Sequence, residues 1–255
     1  MDLKERHEIR NLTRHPWEMS RCRVVVDLLK DLLTEGTHVL DIGCGDLFVE
    51  EYLLKDRSDC FFYCVDTAYS DQEVEALKGK YTQVKVYNTF EAFMKENIQI
   101  DVILLLDVVE HIKDDCGFLR DLMNHSCMTL NTRVLITVPA FQCLFSSHDH
   151  FLGHYRRYNM KKLSTLLREA GLENCECGYF YSILLLPRFF QKLKEYMIGV
   201  GDETTDLVEW KGGRKLTLFL CWIFTMDYRM NRVLNRIGVK LPGLSNYVIC
   251  RKERV

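Results

Sequence analysis

The sequence predicts an α/β fold, a mostly parallel sheet with helices on both faces. Three observations carry that reading. Apolar runs of strand length alternate with stretches of helical spacing along the first two thirds of the chain. The strongest run, DVILLLD at 101–107, is continuously apolar, as a strand covered on both faces requires. The chain has 255 residues, 47% hydrophobic and 27% charged, which is enough to bury the core of one large domain.

Taken in order, residues 17–34 place Val24, Val25, Leu28, Leu29, Leu32 and Leu33 at helical spacing, with Gly36 as a stop. THVLDIGCG is a first strand ending in glycines, and FVEEYLLKD reads as a helix. FFYCVD, VKVY and DVILLLD are the second to fourth strands. DCGFLRDLMNHSCMTL is helical, and RVLITVP is the fifth strand. NMKKLSTLLREAG is a helix with an asparagine cap and a glycine stop. CECGYFYSIL is a sixth strand running into a helix broken at Pro187. A polar loop at 200–214 precedes the apolar-then-basic helix KLTLFLCWIFTMDYRMNRVLNRIG, and LSNYVICRK closes as a last strand. The expected organisation is an N-terminal helical cap at 1–35, a core at 36–183 and 241–255, and a helical insertion or lid at 184–240.

The formal net charge of -2 offers no global positive field for nucleic acid. Eleven cysteines, odd in number and without a CxxC, predict reduced and mostly buried thiols. The first twenty residues are charged from the second onward and hold no apolar signal core, so a cytoplasmic protein is expected. LTLFLCWIFTM, 216–226, is too short to span a bilayer. It could close over an apolar substrate, lie on a membrane surface with Arg229, Arg232 and Arg236 at its polar edge, or simply pack on its neighbours.

In such a sheet, ligands bind beyond the carboxyl ends of the strands. The first strand ends in Asp41-Ile42-Gly43-Cys44-Gly45, where glycines admit a close ligand and the following helix offers N–H groups. Asp66 ends the second strand, where nucleotide-binding sheets place an acid for the ribose hydroxyls. The alternative for Asp66 is a helix cap.

VLDIGCG, YCVD, DVILLLDVVEHI and VLITVPA together resemble, in motif and order, the class I S-adenosylmethionine-dependent methyltransferases over about residues 36–140. A dinucleotide dehydrogenase would want a third glycine where this chain has Phe48. The family often carries another glycine two residues after Gly45, where this chain has Leu47. The resemblance implies a Rossmann-like seven-stranded sheet, mostly parallel with the last strand antiparallel, and S-adenosyl-L-methionine as cofactor. It places Asp41 under the cofactor's ammonium group, Gly43 and Gly45 along its methionine part and Asp66 on its ribose. Asn88 and Thr89 fall near the adenine and Asp107 at the sulfonium.

The fifth strand delivers LFSSHDHFLGHYRRYN, 144–159, to the same rim. A subgroup with VPA followed by HD, GH and RRY resembles the chain to about residue 170 and implies a small-molecule, glycan- or lipid-associated acceptor. His148 or His154 is then the expected base, with Asp149 orienting it. Arg156, Arg157 and Tyr158 are expected to face an anionic acceptor. The plainer reading of the stretch is helix capping and internal pairing.

Asp107, Glu110 and His111 resemble the metal-binding ExxEH of methyltransferases acting on quinone precursors and on the 2′ hydroxyl of small RNAs. No metal is assigned, and these three are the candidate ligands if a divalent ion binds. The main expectation is O- or N-methylation of a small acceptor, lipid-linked or anionic. The alternatives are a metal-assisted RNA 2′-O-methyltransferase and a non-catalytic cofactor-binding partner protein. Acceptor identity and oligomeric state are not written in the sequence.

Overall fold

The computed structural model describes residues 14–198, 210 and 212–253. Parts of the expected cap (1–13) and insertion (199–209 and 211) lie outside the described residues.

Among the described residues, seven strands form one sheet: β1 (His38–Ile42), β2 (Phe61–Val65), β3 (Val84–Tyr87), β4 (Val102–Leu106), β5 (Arg133–Pro139), β6 (Leu172–Phe180) and β7 (Ser245–Lys252). Their spatial order is β3-β2-β1-β4-β5-β7-β6. The first five run parallel, and β7 is antiparallel to both β5 and β6. This is the Rossmann-like arrangement expected. The order reverses between β1 and β4, which sets the crevice beyond their carboxyl ends.

All five residues of β4 are buried, and their side chains divide by period two between the two faces. Leu104 and Leu106 join a core with Val24, Val25, Leu28 and Leu29 of α1 (Pro16–Leu29). Ile103 and Leu105 join the opposite core. That second core holds Phe93 of α4 (Phe90–Met94), Leu119 and Leu122 of α5 (Asp115–Asn124), and Leu163 and Leu167 of α7 (Met160–Glu169). α1 starts on a capping box between His15 and Glu18 with Pro16 at its first position, where no amide hydrogen is needed.

Three short helices go beyond the periodicity reading: α3 (Asp71–Leu77), α4, and α6 (Ser147–Leu152) within the histidine-rich stretch. Pro187 does not break a helix. It lies in the first turn of α8 (Leu185–Ile198), where its missing N–H leaves no bond unmade. In α9 (Arg214–Arg236), Phe224 and Tyr228 enter the core beside α1, so one face of the inserted segment is structural. All eleven cysteines are free.

Leu47 resolves the departure in the glycine loop. It takes the left-handed conformation, φ 62°, at the cap of α2 (Phe48–Leu53), while its side chain is almost fully buried. A non-glycine residue there costs about 1–2 kcal/mol, whereas emptying a buried leucine site costs about 2–5 kcal/mol. Burial therefore wins, and Leu47→Gly is expected to lower the melting temperature in a thermal unfolding scan despite relieving the backbone.

Candidate active site

The turn after β1 is held by backbone and carboxylate together. Gly43 adopts φ 77°, donates its N–H to Val65 O (2.7 Å), and has no room for a side chain: a Cβ would lie 2.6 Å from Val108 Cγ2. Asp66 accepts from the Gly45 N–H at 2.9 Å and from the Ala68 N–H at 2.9 Å. Tyr69 donates its hydroxyl to the Gly45 carbonyl. Further out, Asn88 donates to Asp71 (2.6 Å) and Thr89 caps α4 by accepting from the Ala92 N–H.

Beneath this loop lie Asp41, Asp46 and Glu50, all buried. Arg14 pairs with Asp46. The Asp41 and Glu50 carboxyls lie against one another and share a hydrogen bond. Burial, then the neighbouring charge of Glu50, pushes the Asp41 carboxyl well above the usual range.

At the end of β4, Asp107 takes a left-handed conformation, φ 57°, that an aspartate tolerates but rarely adopts. Two contacts hold it: Thr137 Oγ1 donates to Oδ1 at 2.9 Å, and Arg21 of α1 pairs with Oδ2 at 2.9 Å. Burial disfavours the Arg21 charge, but Asp107, joined by Tyr181, Cys22 and Glu110, more than offsets it, and the guanidinium pKa is raised. Sequence reasoning passed over Arg21. The signal was present, because Arg21 extends the apolar stripe of Val24, Val25 and Leu28 by one helical turn.

The histidine-rich stretch folds around Asp149, whose side chain is fully buried. Asp149 accepts from the Ser146 N–H (2.9 Å), from His154 Nδ1 (2.9 Å), and from Arg157 Nε (2.8 Å) and a second guanidinium nitrogen (2.9 Å). Burial alone would raise this carboxyl; the bonds from His154 and Arg157 hold it far below the usual range. Arg157 and Tyr158, expected at the acceptor, are both buried and engaged within the chain. Arg157 also reaches the Ala140 carbonyl, and Tyr158 donates to Asp115 at 2.7 Å. Arg156 pairs with Asp115 at 2.7 Å and borders a hollow of about 530 Å³ between α5 and α7. Neither the glycine loop nor Asp66, Asp107 or Glu110 lines that hollow.

Of the three histidines in the stretch, the structure brings His154 to the β4 rim. Its ring meets that of His111 edge-on, centroids 4.6 Å apart. His150 is exposed and packs edge-on against Phe145, and His148 lies in α6. Glu110, on the 3₁₀ turn Val109–His111, is fully buried with neither carboxylate oxygen hydrogen-bonded. Burial, then repulsion from Asp107, pushes its pKa well above the ordinary range. Glu110, His111 and His154 each present a donor atom, all within 4.8 Å of one another, and an oxygen with two imidazoles suits a divalent transition ion. His154 thus takes the place expected of Asp107 among the candidate ligands, because Asp107 is already tied to Arg21 and Thr137.

A family model described as a methyltransferase domain matches residues 17–176. A ubiquinone biosynthesis O-methyltransferase of Ruegeria pomeroyi is 26% identical over 162 residues, covering 56% of this chain and 64% of that protein. The chain thus matches less than two thirds of that relative's length. Among solved structures, a SAM-dependent methyltransferase from Archaeoglobus fulgidus is similar with a TM-score of 0.51, at 16% identity, covering 91% of this chain and 94% of that one. Coclaurine N-methyltransferase, bound to N-methylheliamine and SAH, is similar with a TM-score of 0.54 at 14% identity, covering 91% and 70%. Likenesses this distant establish the fold.

The two buried carboxyls have opposite pH signatures. The depressed Asp149 adds stability that is complete above the ordinary carboxylate range and is lost as pH falls through its lowered folded value. Asp149→Asn is therefore expected to cost about 3–5 kcal/mol at pH 7 in denaturant titrations, with the difference shrinking under strong acid. The raised Glu110 adds stability only at low pH, and loses it as pH rises toward its folded value. In a metal-free buffer, Glu110→Gln should accordingly show a melting-temperature advantage that is absent near pH 4 and grows toward pH 8.

Proposed function

We propose a reaction that proceeds from one premise: this chain belongs to the methyltransferase-domain family, whose model matches more than half of it. The reaction is S-adenosylmethionine-dependent transfer of a methyl group to an oxygen or nitrogen of a small acceptor, lipid-linked or anionic. The residues present suit that cofactor. The paired, buried carboxyls of Asp41 and Glu50 offer negative charge for the ammonium group. The Gly43–Gly45 loop and Asp66 form the rim where the methionine part and ribose would lie, with Asn88 and Thr89 further along it and Asp107 at the sulfonium.

When bound, the cofactor would supply an electrophilic methyl group, its sulfur keeping the C–S electron pair as the acceptor gains the methyl. His154 removes the acceptor's proton at Nε2. Asp149, accepting at Nδ1, fixes the tautomer and stabilises the imidazolium that forms. Arg157 and Tyr158 act as positioning residues, since their polar groups bind Asp149 and Asp115. His148 remains the candidate for acceptor contact, since Arg156 is paired with Asp115 beside the hollow between α5 and α7. The observation that carries this reading is the 2.9 Å His154–Asp149 bond held at the β4 rim.

A second reading is favoured by the unpartnered Glu110. A divalent cation held by Glu110, His111 and His154 would polarise the acceptor oxygen there. The two readings exclude each other at His154, because a metal-bound Nε2 cannot take a proton.

The deciding experiment incubates the protein with labelled S-adenosylmethionine and fractionated small-molecule, lipid and RNA pools, with and without a chelator. Label in the small-molecule or lipid pool, unaffected by chelation, is the expected result. Label dependent on added metal favours the second reading, and cofactor binding without turnover on any pool favours a non-catalytic partner. Asp66→Ala should abolish cofactor binding in calorimetry. His154→Gln should keep it while kcat falls by about 10²–10⁴.

A further inference from the structure

α8 carries an exposed apolar stripe. Leu186, Phe189, Phe190, Leu193 and Met197 recur at i, i+3, i+4, i+7 and i+11, and all are solvent-exposed, Phe190 at 62%. α9 carries a second stripe on the face opposite its core residues. Phe219, Trp222, Met230 and Val233, with Ile237 at its C-cap, follow the same helical spacing, with Trp222 at 55% exposure. Isolated surface apolar residues need no explanation, but aligned rows of phenylalanine, tryptophan and methionine on two helices do.

Charge selects the occupant. Lys194, Arg214, Lys215, Arg229 and Arg236 are exposed along these helices. The two helices hold only two acids, Glu195 and Asp227, and Asp227 is buried, accepting from the N–H groups of Ser182 (2.9 Å) and Ile183 (3.0 Å). Each stripe is thus apolar and flanked on its own helix by exposed basic residues, on a chain whose net charge is -2. A two-fold pair of such faces would set basic border against basic border. An anionic lipid surface satisfies both halves of the pattern, with aromatic rings at the acyl boundary and ammonium and guanidinium groups among the headgroups. No described helix is long and apolar enough to cross a membrane, so contact would be lateral.

We propose that the outer faces of α8 and α9 dock this protein on an anionic lipid surface. The docking face is joined to the rim of the sheet. Arg188 of α8 donates to the Ser146 hydroxyl, and Ser146 caps the helix that carries Asp149. The inference does not depend on methyl transfer.

The test is co-sedimentation of the full chain with phosphatidylcholine vesicles, with and without phosphatidylserine, at low and high salt. Phe190→Glu and Trp222→Glu alter exposed positions, and circular dichroism with thermal melting checks that both variants fold. Binding that requires phosphatidylserine, weakens with salt and falls on the order of tenfold or more in either variant is expected. Absence of vesicle binding by the folded wild type overturns the proposal. So does equal binding to both vesicle types at both salts. Concentration-dependent dimerisation abolished by the same variants, without vesicle binding, also overturns it and assigns the face to a second copy.

Discussion

One carboxylate organises the segment that gives this fold its chemical character. Removing a charge from water costs several kcal/mol, and a buried Asp149 is tolerable only with all its donors in place. Those donors come from the start of α6, from His154 beyond its end, and from Arg157 further on. Satisfying one side chain therefore folds the stretch back on itself. The Tyr158 N–H then reaches the Pro139 carbonyl, which fastens the stretch to the end of β5. Histidine position, arginine burial and strand extension are consequences of a single solvation problem.

Glu110 has the same burial and the opposite circumstances. Asp149 is surrounded by donors, whereas Glu110 meets only its own backbone N–H, poorly aligned, and stands near Asp107. A buried carboxyl left this way keeps its proton or meets a cation. Asp107 escapes that choice because Arg21 crosses from α1 to neutralise it. The rim therefore combines a firmly ionised acid, a paired acid and an unsettled one. Environment, not residue type, distinguishes the three.

The sheet was legible because its information is local. Runs such as DVILLLD and RVLITVP declare buried strands without reference to anything distant, and glycines and asparagines mark the ends. The antiparallel last strand was legible only through family resemblance, since LSNYVICRK carries no direction. Helices of one or two turns, such as 71–77 and 147–152, are too short for a period to emerge. Pro187 misled because a proline's meaning depends on whether it starts a helix or interrupts one. The rim was half legible: motif spacing pointed to Asp66, Asp107 and the histidines. The pairing of Arg21 with Asp107, and of His154 with Glu110 and His111, arises from tertiary approach that spacing does not encode.

The position of β7 bears on how the chain reaches this state. β7 is the last strand in sequence, yet it lies between β5 and β6 and pairs with both along nearly its whole length. Among the described residues β6 has no other neighbour in the sheet, and α1 waits for the packing of Phe224 and Tyr228 from far along the chain. During synthesis from the N-terminus, the five parallel strands can assemble while β6 stays detached and the edge of β5 stays bare. Such an edge is a template for any strand nearby. Threading β7 into that gap covers the β5 edge and attaches β6, moving the open edge from the middle of the sheet to its rim.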